Sequence, residues 1–125
     1  MSKKRILLVD DNAMMRREIR SLFASHPYFE VCGEAQHGRD AIEQAPTLLP
    51  DLIILDLSMP VMNGLEAAPL LVKILPAVWL ILLTLYEQPE VHRKAKMAGI
   101  HAVVSKAKAS THLIRQAEVM VGYAA

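Results

Sequence analysis

The chain has 125 residues, a formal net charge of +1 and 53% hydrophobic residues, values that fit a single domain with a sizeable core. The near-neutral charge shows neither the basic excess typical of nucleic-acid-binding domains nor an acidic tail. A single cysteine, Cys32, excludes an internal disulfide and a cysteine-based metal cage, and it favours a reducing, cytoplasmic location. Because every apolar run is too short or too interrupted for a signal peptide or a membrane span, we expect no membrane association.

Apolar runs in the sequence predict the strands of a buried parallel sheet, because strands that are covered on both faces are apolar almost throughout. In chain order, these runs occupy residues 6–9, 52–55, 78–83 and 102–104. Residues 31–35 are a weaker strand candidate. Five strands are therefore expected.

Helical patterns separate these runs. Apolar residues that share one helical face predict a first helix over residues 15–23, with Asn12 as its N-cap. Residues 39–45 predict a short second helix that Pro46 ends. The third pattern, over residues 65–75, contains a proline at position 69, so the helix either kinks there or begins near it.

Two further helices complete the pattern. Residues 89–98 predict a polar fourth helix, with Pro89 near its first turn and Gly99 beyond its end. Apolar spacing over residues 113–121 predicts a fifth helix, for which Ser105 and Ser110 are alternative N-caps. The repeated alternation of strand and helix predicts an α/β fold, with helices on both faces of an open sheet.

Polar residues stand at the carboxyl ends of the predicted strands, where ligands bind in open α/β sheets. These residues are Asp10, Asp11, Asp56, Thr84 and Lys106. Two carboxylates about 4 Å apart repel each other by about 4 kcal/mol at an effective dielectric constant of about 20. A hard cation such as Mg²⁺ would relieve that repulsion, and a lysine ammonium would add a further positive charge.

Such a site is suited to accepting a phosphoryl group. An aspartate carboxylate can accept a phosphoryl group to form an acyl phosphate, and this transfer depends mainly on positioning and on charge neutralisation. Thr84 offers a hydroxyl donor, and the backbone carbonyl of Ser58 offers a metal ligand.

Four sequence features together resemble the receiver domain of bacterial two-component response regulators. They are "ILLVDDN" at residues 6–12, "LIILDLSMPVMNG" at residues 52–64, Thr84 and Lys106. The resemblance covers essentially the whole chain, residues 1–125, as one receiver domain. It implies a doubly wound, flavodoxin- or CheY-like sheet of five parallel strands in the order 2-1-3-4-5. It also implies Mg²⁺-dependent phosphotransfer to Asp56 from a histidine kinase or a phosphotransfer protein.

The resemblance assigns a role to each matching residue. Asp11 and Asp56 would bind Mg²⁺ directly, Asp10 would hold it partly through water, and Ser58 would add its backbone carbonyl. Thr84 and Lys106 would contact the phosphoryl group, and Thr84 would move towards it to change a partner-binding surface on the fourth helix, the fifth strand and the fifth helix. The residues expected to modulate the lifetime or the output of the phosphorylated state are Ser58, Tyr86 and Val103.

Three positions depart from the family pattern. Val103 replaces a rotating aromatic residue, Ala107 replaces a proline, and Pro69 lies inside the third helical pattern. Valine has no ring that could swing inward, so the usual coupling between the threonine and the aromatic residue is in doubt. We therefore expect an intact phosphorylation pocket and an altered output mechanism.

Other functions compete with this interpretation. One is a degenerate receiver that binds partners without phosphorylation. Another is a haloacid-dehalogenase-like phosphatase, which usually carries a second acid where this chain has Ser58. We expect a phosphoacceptor domain and not an enzyme, with a homodimer as one possible assembly. The sequence ends after the fifth helix without an output domain, so the chain is a stand-alone receiver or a fragment; transcription is the expected output of a longer protein.

Overall fold

Five strands and five α-helices alternate along the chain, as the sequence predicts. The structure is a computed structural model, and it describes residues 2–85 and 87–122. The strands are β1 (Lys4–Val9), β2 (Phe29–Ala35), β3 (Leu52–Asp56), β4 (Trp79–Thr84) and β5 (Ala102–Ser105). The helices are α1 (Ala13–Phe23), α2 (Gly38–Leu48), α3 (Gly64–Ile74), α4 (Pro89–Met97) and α5 (Ala109–Val121). A short 3₁₀ turn, Lys106–Lys108, joins β5 to α5.

The strands form one parallel sheet in the order β2-β1-β3-β4-β5, which confirms the predicted topology. The central strand β3 is buried along its whole length. The direction of strand succession reverses between β1 and β3, and a crevice opens at the carboxyl ends of strands at such a reversal. The fold therefore places the ends of β1 and β3 side by side where a ligand site is expected.

The core consists of two apolar layers, one on each face of the sheet. Leu7 and Val9 of β1 face the layer that also holds buried alanines of α2, α3 and α4. Ile6 and Leu8 face the opposite layer, which contains Phe23 of α1 and buried residues of α5. Because successive strand residues point to opposite faces, an almost continuous apolar run can fill both layers.

The prediction that Pro46 ends the second helix is wrong. Helix α2 continues through Pro46 to Leu48, and Leu49 ends it in the left-handed conformation with a φ of 49°. Its buried alanines, Ala41 and Ala45, pack against the sheet. Tertiary packing of this face outweighs the local cost of a missing hydrogen bond in the last turns of the helix.

The alternative in which regular helix begins near Pro69 is also wrong. Helix α3 begins at Gly64, and Asn63 and Glu66 form a capping box that satisfies its first backbone donors. Helix continues on both sides of Pro69. The cap sets the start of this helix, and the burial of Leu71 holds the segment after the proline against the core.

The remaining caps give a mixed result. Asn12 caps α1 as predicted, by accepting hydrogen bonds from the backbone N–H groups of residues 14 and 15. Neither predicted serine caps α5: Ser105 caps the preceding 3₁₀ turn, and Ser110 lies within the first turn of the helix. Within residues 2–85 and 87–122, no helix has both the length and the apolar character needed to cross a membrane.

Candidate functional site

The polar residues at the strand ends converge on one cleft at the carboxyl edge of the sheet. Asp56 is the last residue of β3, Thr84 is the last residue of β4, and Asp10 follows β1 directly. All three are buried, with exposed fractions of 5%, 1% and 2% respectively. The cleft, of about 220 Å³, is lined by Asp10, Asp11, Asn12, Asp56, Ser58, Thr84, Leu85 and Lys106.

Three carboxylates meet in this cleft. Asp10, Asp11 and Asp56 each offer one oxygen atom, and these oxygens all lie within 4.8 Å of one another. Asp10 and Asp56 are buried, whereas Asp11 is exposed. Because like charges at this separation repel, the arrangement needs positive charge to be stable.

Lys106 supplies part of that positive charge. Its Nζ atom lies 3.1 Å from Oδ1 of Asp56 and 3.2 Å from Oδ2 of Asp10. Burial by itself favours the neutral amine, but the contact with Asp56 and the negative charges of Asp10 and Asp56 outweigh it and raise the pKa of Lys106. One ammonium facing three carboxylates leaves the cleft negatively charged.

Burial and this excess of negative charge both affect the pKa of Asp56. Burial raises the pKa of the Asp56 carboxyl, and the charges of Asp10 and Asp11 raise it further, while Lys106 opposes both effects. The net shift is upward. An anionic Asp56 is therefore costly until further positive charge enters the cleft.

The main chain around Asp10 fixes the direction of its carboxylate. The N–H of Asp10 donates to the carbonyl of Ala35 at 3.1 Å, and Oδ1 accepts from the N–H of Asn12 at 2.9 Å. Oδ2 is buried, and among the described residues it accepts no hydrogen bond; the nearby ammonium of Lys106 contributes a charge contact. A buried carboxylate oxygen that shares its lysine with Asp56 and lies beside two other acids fits a hard divalent cation such as Mg²⁺, which prefers oxygen ligands.

A tight contact positions the loop that follows Asp56. Helix α3 begins so close to β3 that a side chain at Gly64 would collide with the carbonyl oxygen of Asp56. The N–H of Gly64 donates to the carbonyl of Leu57 at 3.2 Å, which closes the loop between β3 and α3. Within this loop, Val61 adopts a φ of 67°. The sequence analysis recognised a turn here, but it did not recognise that this glycine allows the close approach.

The structure gathers six of the predicted site residues in the cleft: Asp10, Asp11, Asp56, Ser58, Thr84 and Lys106. Tyr86 lies outside the described residues. Val103 lies on β5 opposite Leu82, packs against the core and does not line this cleft. The sequence analysis missed Arg16, which donates from Nη1 to the carbonyl of Asp10 at 2.6 Å.

The geometry agrees with a comparison of the sequence with known protein families. Residues 6–118 match the model of the response regulator receiver domain. The chain belongs to this family. The predicted family, the predicted fold and the predicted role as a receiver domain of two-component systems are thereby confirmed.

Curated relatives of this receiver domain are longer proteins. It is 38% identical over 110 residues to the response regulator protein VraR of Staphylococcus saprophyticus, covering 87% of this chain and 52% of VraR. It is 37% identical over 110 residues to protein-glutamate methylesterase/protein-glutamine glutaminase 1 of Methanosarcina acetivorans, covering 86% of this chain and 31% of that protein. The receiver domain thus spans about half of the first relative and about a third of the second.

Solved structures resemble the receiver domain over almost its full length. A two-component response regulator of the LuxR family from Aurantimonas sp. SI85-9A1 superposes with a TM-score of 0.91 at 27% identity, covering 97% of this chain and 86% of that one. The response regulator domain of Thermotoga maritima CheB gives a TM-score of 0.79 at 32% identity, covering 95% and 90%. Receiver domains accept phosphoryl groups from histidine kinases or phosphotransfer proteins and bind Mg²⁺ through acidic residues.

Proposed function

We propose that Asp56 is the phosphoacceptor of this receiver domain. The observation that carries the proposal is the position of its carboxylate, buried at the end of β3, 3.1 Å from the ammonium of Lys106 and within 4.8 Å of two further acids. A nucleophile held between a cation-binding pair and a lysine has the surroundings that phosphoryl transfer requires.

Mg²⁺ is the proposed metal ion. Asp11 and Asp56 would bind it directly, Asp10 would hold it partly through water, and the backbone carbonyl of Ser58 would complete the set of protein ligands. When bound, Mg²⁺ would neutralise negative charge on the acids and on the phosphoryl oxygens. Three acids share one lysine in this cleft, and burial together with the charges of Asp10 and Asp11 raises the pKa of Asp56; both observations support this assignment, because a bound cation would stabilise the carboxylates.

The proposed reaction transfers the phosphoryl group directly from a donor histidine to Asp56. A carboxylate oxygen of Asp56 forms a bond to the phosphorus of a phosphohistidine on the donor, and the phosphorus–nitrogen bond breaks. The bonding electrons leave with the imidazole, which takes up a proton from the solvent. Lys106 and Thr84 would contact the oxygens of the phosphoryl group. The ammonium of Lys106 lies 3.1 Å from Asp56, close enough to stabilise the negative charge on those oxygens during the transfer.

The proposed partner is a histidine kinase or a phosphotransfer protein. Contact with the phosphoryl group would draw Thr84 inward and bias a two-state switch in the surface formed by α4, β5 and α5. Val103 packs against the core on β5 and has no ring to rotate, so we propose that the output uses repacking around Thr84 and not an aromatic swing. Ser58 and Tyr86 are the proposed modulators of the lifetime of the phosphorylated state.

The setting of the domain belongs to the same proposal. A homodimer is one candidate assembly, and we propose that the domain makes no direct contact with nucleic acid. The free thiol of Cys32 supports a reducing, cytoplasmic location. The domain would serve as a phosphoacceptor and not as an enzyme that turns over a separate substrate; the methylesterase named above is a longer protein, of which this chain spans about a third.

Incubation with a small phosphodonor such as acetyl phosphate tests the proposal, with intact-mass measurement as the readout. We expect the wild-type protein with Mg²⁺ to gain one acid- and base-labile phosphoryl group, and EDTA to abolish that gain. Asp56→Asn should remain folded and gain nothing. A folded wild-type protein that stays unmodified by both a small donor and a phosphorylated histidine kinase would instead identify a module that binds partners without phosphorylation.

A further inference from the structure

Arg16 is a charged residue that the structure partly buries beside the site. It lies in α1, and its side chain is only 13% exposed. Burial of a guanidinium is costly unless hydrogen bonds and an opposite charge compensate for the lost water. The partners of Arg16 therefore indicate why the charge lies there.

Two partners hold Arg16 between β1 and β2. Its Nη1 donates to the carbonyl oxygen of Asp10 at 2.6 Å, and its Nε donates to Oε1 of Glu34 at 2.8 Å. Arg20, one turn further along α1, donates to the other carboxylate oxygen of Glu34 from Nε at 3.0 Å and from Nη2 at 2.7 Å. Burial of Glu34 favours its neutral form, but the two arginines outweigh this effect and lower its pKa, so Glu34 remains a carboxylate that anchors both.

The contact with Asp10 acts on the peptide group between the two neighbouring acids. The carbonyl that Arg16 binds belongs to the peptide bond joining Asp10 to Asp11, and this peptide is planar. The N–H of Asp10 is fixed separately by the carbonyl of Ala35. With both polar groups of the Asp10 main chain held, the directions in which the carboxylates of Asp10 and Asp11 leave the backbone are restricted.

We infer that Arg16, anchored by Glu34, is a positioning residue that orients Asp10 and Asp11 for binding a divalent cation. The inference rests on the proposed function, because it assumes that the acidic cleft binds Mg²⁺. Arg16 touches neither carboxylate in this arrangement; it acts through the Asp10 carbonyl.

Arg20 provides a matched control. It shares the anchor Glu34, lies on the same helix and is 47% exposed, and its hydrogen bonds go to Glu34. Arg16→Met and Arg20→Met each remove one positive charge near the cleft. Electrostatics alone would make both variants bind Mg²⁺ more tightly, so weaker binding in Arg16→Met alone isolates a positioning effect.

Calorimetric titration with Mg²⁺ in the absence of phosphodonor measures this effect, with the melting temperature in EDTA as a record of stability. We expect Arg16→Met to bind Mg²⁺ about tenfold more weakly than the wild type, as is typical when a group that orients a metal ligand is removed. We expect Arg20→Met to stay within about twofold of the wild type. Saturating Mg²⁺ should restore most of the rate of phosphorylation by acetyl phosphate in Arg16→Met.

Arg16→Lys supplies a second variant. It keeps the positive charge, but its single ammonium group replaces a guanidinium that contacts Glu34 and the Asp10 carbonyl through two different nitrogens. It should recover part of the lost affinity, and it replaces Arg16→Met as the test if that variant does not fold. Unchanged Mg²⁺ affinity in the folded Arg16 variants, alongside normal binding by the wild type, would overturn the inference and leave the proposed function intact. Absence of Mg²⁺ binding by the wild type would overturn both.

Discussion

The two ends of the sheet differ in how completely their polar groups are paired. At the amino end, Arg5 donates from Nε and Nη2 to the carbonyl of Leu48 at 3.1 and 3.0 Å, and its N–H donates to Oδ2 of Asp51 at 2.8 Å. His101 accepts from the N–H of Leu80 at 3.1 Å. Donors and acceptors are matched there, so these polar contacts support the folded state.

The carboxyl end shows the opposite arrangement. Three acids face one lysine, an oxygen of Asp10 accepts no hydrogen bond among the described residues, and the pKa of Asp56 is raised. A folded protein tolerates such a mismatch where a ligand relieves it. The contrast indicates that the polar contacts at the amino end stabilise the fold, whereas the acidic cleft at the carboxyl end lowers stability in the absence of a cation.

The largest expected effect concerns the response of stability to Mg²⁺. A ligand that binds only the folded state stabilises it by about 2.7 kcal/mol at a concentration about 100 times its Kd. Asp56→Asn removes a proposed ligand, so most of this gain should be lost, whereas Glu43→Gln, which removes an acid on the exposed face of α2, should retain it. Thermal melting across a Mg²⁺ titration measures both, and an equal response in the two variants would contradict a cation site at Asp56.

In the absence of metal, the same substitution, Asp56→Asn, should raise the stability of the protein. Because the folded-state pKa of Asp56 is raised, ionisation of this carboxyl destabilises the folded protein at pH 7. In EDTA at pH 7, Asp56→Asn should therefore melt at a higher temperature than the wild type. The difference should shrink as the pH falls through the raised pKa, and it should vanish below the ordinary pKa of an aspartate, 3.8, where the carboxyl is protonated in both states.

A substitution at the amino end should have the complementary result. Arg5→Met removes two hydrogen bonds to the last residue of α2 and a positive charge at the carboxyl end of that helix, so we expect a loss of about 1.5 kcal/mol in the free energy of unfolding. Mg²⁺ affinity should stay unchanged. Arg93→Met, which breaks an exposed pair with Glu90 on α4, is the control and should leave the free energy of unfolding almost unchanged, because exposed ion pairs contribute little to stability. Urea denaturation and Mg²⁺ calorimetry together decide whether the two ends are independent.

The smallest expected effect concerns strain in the loop after Asp56. Val61 is 72% exposed and has a φ of 67°, a conformation that β-branched residues rarely adopt and asparagine tolerates well. Val61→Asn should stabilise the protein by about 1 kcal/mol. Val119→Asn, at an exposed valine within α5, should not stabilise it. Similar shifts in the two variants would show that exposure, and not the backbone at Val61, governs the result.

Local sequence rules failed where tertiary contacts compete with them. Pro46 and Pro69 both lie inside helices, because buried alanines and a capping box hold α2 and α3 against the sheet. The rules succeeded at Asn12 and Pro89, where the relevant contacts lie within one helical turn. The contact of Arg16 with Glu34 joins residues 18 positions apart, and no periodic pattern in the sequence marks it.

The sequence by itself determined the strand and helix alternation, the family and the set of acids at the strand ends. It could do so because buried parallel strands require apolar runs and because their carboxyl ends lie on one edge of the sheet. Only the tertiary structure decided which atoms meet: the distances of Lys106 from Asp10 and Asp56, and the hydrogen bond from Arg16 that holds the Asp10 carbonyl. These depend on how helices and strands pack at ångström scale, and residue type and spacing do not specify that packing.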